Sequence, residues 1–83
     1  MTSEEILRGV EQVAREHLNR PGELRLDMDL IEDLELDSLL LLTMAVEVEN
    51  RFRIYLEEED EAAIRTVGDL VDTVQRKLEQ GAS

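Results

Sequence analysis

Ser38 is the residue whose type and position could carry chemistry. It follows Asp37 directly and precedes four leucines, residues 39–42, where the pattern predicts the first turn of a helix. A hydroxyl at a helix start lies beside backbone N–H groups that have no acceptor within the helix, and the helix dipole there favours negative charge. A phosphate ester on Ser38 would be stabilised at this place. The sequence therefore favours a serine that is modified over one that catalyses.

A nucleophilic role for Ser38 would require a general base within hydrogen-bond reach. The chain has one histidine, His17, and no cysteine. His17 falls on the apolar stripe of the first predicted helix, as is typical of a packed or half-exposed residue near a helix end. The hydrolase pattern Gly-x-Ser-x-Gly does not surround Ser38. We therefore predict no catalytic residue, and the alternative for Ser38 is an unmodified helix-start serine, since serine is common there.

An acidic stretch precedes Ser38, with six acids and no base at residues 27–37. Asp27 and Asp29 resemble the start of a calcium-binding loop, but an isoleucine replaces the next carboxylate and Glu32 replaces the glycine that the turn needs. One histidine and no cysteine also exclude the usual zinc sites. The sequence predicts no metal site. A second acidic run, residues 57–61, is typical of a solvated helix start.

Length and charge limit the partners of the chain. Its 83 residues allow one small domain, and its 21 acidic and 9 basic side chains give a net charge of −12. Such a surface repels nucleic-acid phosphates and anionic lipids, so we expect neither nucleic-acid nor membrane binding. It attracts partners with basic surfaces, because complementary charge speeds encounter. No apolar run reaches the length of a leader or a membrane span, so we expect a cytoplasmic location. We also expect the chain to be a monomer.

The first predicted helix begins at a capping box and ends at a proline. Thr2 and Glu5 have the capping-box spacing, and apolar residues then recur with helical period as far as Leu18. Residues 19–22, Asn-Arg-Pro-Gly, end this helix, because proline cannot continue it and glycine permits left-handed geometry.

A long loop, residues 20–36, is predicted to lead from this helix to Ser38. Its apolar residues are expected to pack over the helices, with a short turn near residues 30–34 and no strand, because no partner strand is evident. Asp37 is the predicted N-cap of a second helix that ends near Phe52.

Two further helices complete the predicted all-α fold, a small bundle of three main helices and a short third one. The short helix covers residues 58–64. Thr66 and Asp69 have the spacing of another cap, and apolar residues then recur with helical period towards a frayed tail at residues 81–83.

The second predicted helix carries more apolar residues than one core can cover. At about 100° per residue, its apolar positions form two arcs on different sides of the helix. The arc that we assign to the core holds Leu41, Met44, Ala45, Val48 and Phe52. The other arc, which we call the outer stripe, holds Leu39, Leu42 and Val46. We expect the outer stripe to be exposed and to bind partners, with Glu47 and Glu49 as polar contacts at its rim.

Together these features resemble the acyl carrier protein family over nearly the whole chain. Residues 30–39, which include Asp37 and Ser38, resemble the family's attachment motif. Residues 46–52 and 64–70 resemble its second and last helices at the expected spacing. The resemblance implies a bundle of three main helices with a short fourth, a single carrier domain over residues 1–83, and no enzymatic activity.

The resemblance also implies a cofactor and its enzymes. Ser38 would be esterified with phosphopantetheine from coenzyme A by a phosphopantetheinyl transferase, for which Asp37 is a recognition position. The thiol of the arm carries acyl groups as thioesters, which fits a chain without cysteine. Acyl-loading and synthase enzymes of fatty-acid or polyketide-type biosynthesis would dock on the outer stripe.

The chain departs from the family pattern at several places, among them a second helix with only Glu47 and Glu49 as acids beyond Asp37, and these departures indicate specialised partners. Glu35 stands where the family usually has glycine, and Leu36 is bulkier than the common small residue. Leu40 replaces a usually polar position, and the proline after the second helix is absent, with Glu57 near its place. Two alternatives stay open: an aminoacyl, peptidyl or D-alanyl carrier and, from another class, an unmodified helical adaptor that binds a partner helix through its exposed leucines.

Overall fold

The structure, a computed structural model, describes residues 1–20 and 23–81. Within these residues four helices follow one another: α1 (Ser3–His17), α2 (Ser38–Phe52), α3 (Glu58–Ala63) and α4 (Val67–Gly81). The predicted all-α bundle with a short third helix is confirmed. Across the described residues, every helix is too short or too polar to cross a membrane.

Two capping boxes start α1 and α4, as the sequence predicts. At α1, Glu5 N donates to Thr2 Oγ1 at 3.2 Å, and Thr2 N donates to Glu5 Oε1 at 2.9 Å. At α4, Asp69 N donates to Thr66 Oγ1 and Thr66 N donates to Asp69 Oδ2, both at 3.1 Å. Each box satisfies N–H groups that the helix itself leaves without acceptors, and the loss of one such cap costs about 1 kcal/mol.

The end of α1 differs in detail from the prediction. The helix ends at His17, the N–H of Leu18 still donates to Ala14 O, and Asn19 takes a left-handed backbone with φ 54°. Asparagine tolerates that conformation better than most residues. The proline and glycine predicted to end this helix, residues 21–22, lie outside the described residues.

The last two helices also shift slightly from their predicted limits. α3 ends at Ala63, one residue earlier than predicted. α4 includes Gly81, which the sequence analysis assigned to a frayed tail, while residues 82–83 lie outside the described residues.

The core lies between α1, α2 and α4. Its helical side chains come from the apolar stripe of each of these helices: Ile6, Val10, Val13, Ala14, Met44, Val48, Phe52, Val67, Leu70, Val71 and Val74. α1 and α2 approach each other closely at Gly9, where a Cβ atom would lie 2.5 Å from Phe52 Cζ. A side chain at this position would therefore force the buried Phe52 ring to move.

The long loop adds a second part of the core. Its four buried leucines are Leu24, Leu30, Leu34 and Leu36. Burial of such side chains is worth roughly 1.5–3 kcal/mol each, so the loop is held firmly against the helices. Leu26 and Ile31 are exceptions, because they are exposed where the sequence analysis expected all the apolar residues of the loop to pack down.

Backbone hydrogen bonds fix the shape of the loop. The N–H groups of Asp33 and Leu34 donate to Asp29 O and close the predicted turn. Further along, Val67 N donates to Met28 O at 2.9 Å and thereby ties the loop to the start of α4. The loop thus follows one path across the bundle before it reaches Ser38.

Candidate functional site

Ser38 is the first residue of α2, with Asp37 as its N-cap. Asp37 Oδ1 accepts a hydrogen bond from Leu40 N at 2.9 Å, and Asp37 O accepts one from Leu41 N at 2.8 Å. The extended backbone of Asp37, with φ −88° and ψ −177°, is the usual N-cap conformation. The predicted helix start is confirmed, and Ser38 is exposed to solvent there.

The start of α2 suits an esterified phosphate. Helix geometry leaves the N–H groups of Ser38 and Leu39 without an intrahelical acceptor, and the helix dipole adds partial positive charge at the same end. A phosphodiester on Ser38 Oγ would lie beside these N–H groups and gain from both effects. The residues present therefore fit phosphopantetheine.

His17 faces α2 far from Ser38. Its Nε2 atom lies 3.4 Å from Glu47 Oε1. Glu47 is nine residues beyond Ser38 in α2, which corresponds to about 13 Å along the helix axis. A general base must come within about 3.2 Å of the group that it deprotonates. His17 therefore cannot activate Ser38 in this arrangement.

The outer stripe faces solvent. Leu39, Leu42 and Val46 are 69%, 59% and 42% exposed. They begin one residue after Ser38 and lie on the side of α2 that the angular count assigned to them. Three neighbouring apolar side chains beside a candidate modification site form a surface that suits a partner. That partners bind there stays a prediction.

The two glutamates predicted at the rim of the outer stripe are both engaged within the protein. Glu47 is half-buried beside His17 of α1, and Glu49 Oε2 accepts a hydrogen bond from Leu56 N at 2.7 Å. Through this hydrogen bond, Glu49 stabilises the loop that leads from α2 to α3. The angular count could have shown that Glu47 lies about 100° from Val46, towards α1, because adjacent helical residues differ by that angle. Their contact with partner cations stays a prediction.

The core side of α2 is narrower than predicted. Met44, Val48 and Phe52 are buried, while Leu41 and Ala45 are only half-buried. These last two residues line a cleft. One part of the predicted core arc therefore lies in the core, and the other part forms a wall of the cleft.

An apolar cleft of about 310 Å³ lies between α2 and the region of α3. Its apolar lining comes from Leu30, Leu41, Leu42, Met44, Ala45, Leu56, Ile64 and Leu70. Glu61 of α3 also lines it, and Leu42 belongs to both the cleft and the outer stripe. The cleft therefore opens beside the outer stripe. The sequence alone does not indicate this cleft, because its existence depends on how α3 lies across α2.

Charged side chains hold α3 against α4. Asp60 Oδ2 lies 2.7 Å from Lys77 Nζ, and Asp60 Oδ1 lies 3.3 Å from Arg76 Nη2. The hydrogen bond from Lys77, followed by the one from the Glu57 N–H, lowers the pKa of Asp60, and the same contact with Asp60 raises the pKa of Lys77. None of the residues of α3 is buried. The position of α3 at the cleft therefore depends strongly on charge.

Asp29, which the sequence analysis considered as a possible calcium ligand, instead organises the loop. Its Oδ1 atom accepts hydrogen bonds from Ile31 N and Glu32 N, and its Oδ2 atom accepts one from Arg65 Nε at 3.1 Å. The Glu32 N–H contributes most, followed by Arg65, to a lowered pKa of Asp29. In the described part of the chain, no three His, Cys, Asp or Glu side chains are arranged to hold a metal ion.

Comparisons with known proteins agree with this geometry. The family model described as the phosphopantetheine attachment site matches residues 8–74. The chain is 35% identical over 82 residues to an acyl carrier protein of Rhodococcus erythropolis, covering 98% of this chain and 90% of that one. It is 36% identical over 81 residues to the meromycolate extension acyl carrier protein of Mycobacterium tuberculosis, covering 96% and 70%.

A solved structure shows the same fold. The acyl carrier protein from Enterococcus faecalis superposes with a TM-score of 0.74 at 28% identity, covering 93% of this chain and 99% of that one. Sequence and structure thus both indicate a small acidic bundle whose second helix begins at an exposed serine. The chain belongs to the acyl carrier protein family, whose members are carriers rather than enzymes and whose cofactor is phosphopantetheine.

Proposed function

We propose that this chain holds acyl groups as thioesters on a phosphopantetheine arm attached to Ser38 and delivers them to synthase and transferase enzymes. The observation that carries the proposal is the exposed Ser38 hydroxyl in the first turn of α2, behind the Asp37 cap. When attached, the arm supplies the thiol that a chain without cysteine lacks. The proposal treats residues 1–83 as a single carrier domain.

The apolar cleft supports acyl cargo. Each methylene group that moves from water into an apolar site gains about 0.8 kcal/mol. An ammonium group would lose hydration there unless it met a partner. Among the described residues, Glu61 is the one charged residue that lines the cleft, so an aminoacyl, peptidyl or D-alanyl cargo is the second candidate. The unmodified adaptor is the weakest alternative, because the matched family is defined by attachment of the arm.

The proposed partners are a phosphopantetheinyl transferase that recognises Asp37 and enzymes with basic surfaces that dock on the outer stripe. The net charge of −12 supports basic partner surfaces and a monomeric carrier, since like-charged copies repel each other. The M. tuberculosis relative is named for meromycolate extension. Extension of an acyl chain, in fatty-acid or polyketide-type biosynthesis, is the pathway class that we propose here. A cytoplasmic location is part of the same proposal.

Intact mass spectrometry tests the attachment. The apo chain is incubated with coenzyme A, Mg²⁺ and a broad-specificity phosphopantetheinyl transferase, and we expect the mass of one arm to be added. Ser38→Ala should fold and gain no mass, while the matched variant Ser3→Ala should gain the arm like the wild type. A wild-type chain that stays unmodified, or a Ser38→Ala chain that gains the arm, would contradict the proposal. The mass of the protein from its own producer then identifies the cargo.

A further inference from the structure

Arg20 joins the end of α1 to residues 34–37, which we call the attachment segment because they lead directly into Ser38. Its guanidinium group donates to four backbone carbonyl oxygens on two sides. Nε donates to Leu34 O at 2.7 Å, Nη2 to Glu35 O at 3.2 Å, and Nη1 to Leu18 O at 3.2 Å and Asn19 O at 3.4 Å. Two of these carbonyls belong to the attachment segment and two to the end of α1.

One of the carbonyls that Arg20 holds belongs to a residue with an unfavourable backbone. Glu35 has φ 54°, in the left-handed region that glycine occupies at little cost and other residues avoid, because their Cβ atom crowds a carbonyl oxygen. Such a residue persists only where its surroundings hold it. The hydrogen bonds from Arg20 to Leu34 O and Glu35 O supply part of that restraint.

The restraint continues along the backbone from Glu35 to Ser38. Leu36 is 3% exposed, and its N–H donates to Leu30 O at 3.1 Å. Asp37 is held in place by the hydrogen bond that it accepts, as the N-cap of α2, from Leu40 N. Each residue between Arg20's contacts and Ser38 is therefore anchored, and the position of Ser38 relative to α1 depends on the whole series.

The contacts of Arg20 need a guanidinium group and not merely a positive charge. Its planar fork presents five N–H donors in fixed directions, whereas a lysine presents one ammonium group on a flexible stem. Arg20 is also half-buried, unlike Arg15, which is exposed on the preceding turn of α1. A variant at Arg15 therefore provides a control that removes the same charge at an exposed position.

We propose that Arg20 is a positioning residue for Ser38: it locks the attachment segment to the end of α1, so that the hydroxyl meets the phosphopantetheinyl transferase in one orientation. The inference rests on the proposed attachment of the arm to Ser38. In the transfer, Ser38 Oγ attacks the pantetheine-bearing phosphate of coenzyme A, the pyrophosphate bond breaks, adenosine 3′,5′-bisphosphate leaves, and the hydroxyl proton is lost to a base or to solvent. The attacking oxygen must reach that phosphorus in a narrow range of geometries. Arg20 therefore affects the kcat of arm transfer, whereas the outer stripe affects how tightly the transferase binds the carrier.

Steady-state kinetics of arm transfer test this role. Coenzyme A is saturating, the carrier concentration is varied, and Arg20→Ala, Arg20→Lys and Arg15→Ala are compared with the wild type. We expect Arg20→Ala to lower kcat about tenfold with KM within about twofold, since misplacement of a reacting group costs mainly turnover. Arg20→Lys should recover part of the loss but remain about threefold slow, because one ammonium group cannot reach all four carbonyls. Arg15→Ala should match the wild type.

Circular dichroism and thermal melting establish that each variant is folded at the assay temperature, and amide chemical shifts should change mainly at residues 34–38. A folded Arg20→Ala variant with the wild-type kcat would overturn the inference, as would an equal loss in Arg15→Ala or a change confined to KM. If Arg20→Ala does not fold, Arg20→Lys decides, and a wild-type kcat in that variant would overturn the inference. A wild-type chain that accepts no arm would instead refute the proposed function.

Discussion

The attachment segment before α2 and the short helix α3 after it are held in place by different forces. The attachment segment is fixed by two buried leucines, Leu34 and Leu36, and by the hydrogen bonds of Arg20. α3 buries no side chain, and Asp60 joins it to α4 through charged contacts. The segment before α2 therefore has core character, because buried side chains hold it, whereas α3, which follows α2, has surface character, because charged side chains hold it.

One small domain can thus combine a fixed site with an adaptable one. Apolar burial and partly buried hydrogen bonds restrict the attachment segment to one arrangement. α3 depends instead on charged contacts with α4, in which the side chains of Asp60 and Lys77 are 13% and 15% exposed. Such contacts weaken with salt, so α3 can shift more easily than the attachment segment. Under the proposed function, Ser38 meets every partner in the same orientation, while the cleft beside α3 adapts to cargo.

Leu36→Ala tests the core character of the attachment segment and should have the largest effect on stability. Leu36 is 3% exposed, and truncation of a buried leucine costs about 2–5 kcal/mol. That is a large part of the roughly 5–10 kcal/mol expected for a domain of this size. Urea denaturation measures the loss. The matched truncation Leu39→Ala, at a side chain 69% exposed, should cost less than about 0.5 kcal/mol. Equal losses in the two variants would show that the attachment segment is no more buried than the outer stripe.

Leu42→Ala tests whether the outer stripe serves partners rather than stability. Leu42 is 59% exposed, so its truncation should cost less than about 1 kcal/mol of unfolding free energy. An interface residue of this kind contributes about 1–2 kcal/mol to binding, which corresponds to roughly a tenfold rise in KM for arm transfer, with kcat little changed. Ile31→Ala, an equally exposed apolar truncation in the loop, should leave KM unchanged. A stability loss like that of Leu36→Ala would place Leu42 in the core and exclude the docking role.

The sequence predicted those parts of the fold that depend on local patterns. Thr2 with Glu5 and Thr66 with Asp69 form the expected caps, because a capping box needs only residues three positions apart. The helical period likewise identified the outer stripe. Asp37 was predicted as an N-cap from the apolar run that follows it, and the structure confirms that cap.

The sequence could not predict contacts that join distant parts of the chain. Arg20 and Glu35 are fifteen positions apart, and nothing in their types indicates a hydrogen bond between them. Glu49 accepts a hydrogen bond from Leu56 N, which forms because the loop after α2 folds back and which no pattern in the sequence indicates. The cleft depends in the same way on where α3 lies. Such features follow from the packing of whole elements and not from spacing along one helix.

Glu35→Gly tests the strain in the attachment segment and should raise stability slightly. Relief of a left-handed backbone is worth about 1–2 kcal/mol, and the greater freedom of glycine in the unfolded chain removes about 0.4–1 kcal/mol of that gain. The net gain should be about 0.5–1 kcal/mol, measured by urea denaturation. Glu32→Gly, in the same loop but without a positive φ, should instead be neutral or destabilising. A loss of stability in Glu35→Gly would show that the backbone is not strained there.

Asp60→Asn tests the surface character of α3 and should have the smallest effect on global stability. The variant keeps the shape of the side chain but removes the charge that faces Lys77 and Arg76. The melting temperature should change little, while the amides of α3 should exchange with solvent faster, because α3 loses its main tie to α4. Asp72→Asn, an equal charge change at an exposed position of α4, should leave the exchange of α3 unchanged.

The pH dependence of α3 in the wild-type protein follows from the same contact. The pKa of Asp60 is lowered from its ordinary 3.8, so its contribution is complete above that pH and disappears as the pH falls through the lowered value. The pKa of Lys77 is raised from its ordinary 10.5, so its contribution is complete below that pH and disappears as the pH rises through the raised value. Between these limits the protection of the α3 amides, corrected for intrinsic exchange, should stay constant, and added salt should lower it. Protection in Asp60→Asn equal to that of the wild type would mean that packing holds α3, and the contrast with the attachment segment would then disappear.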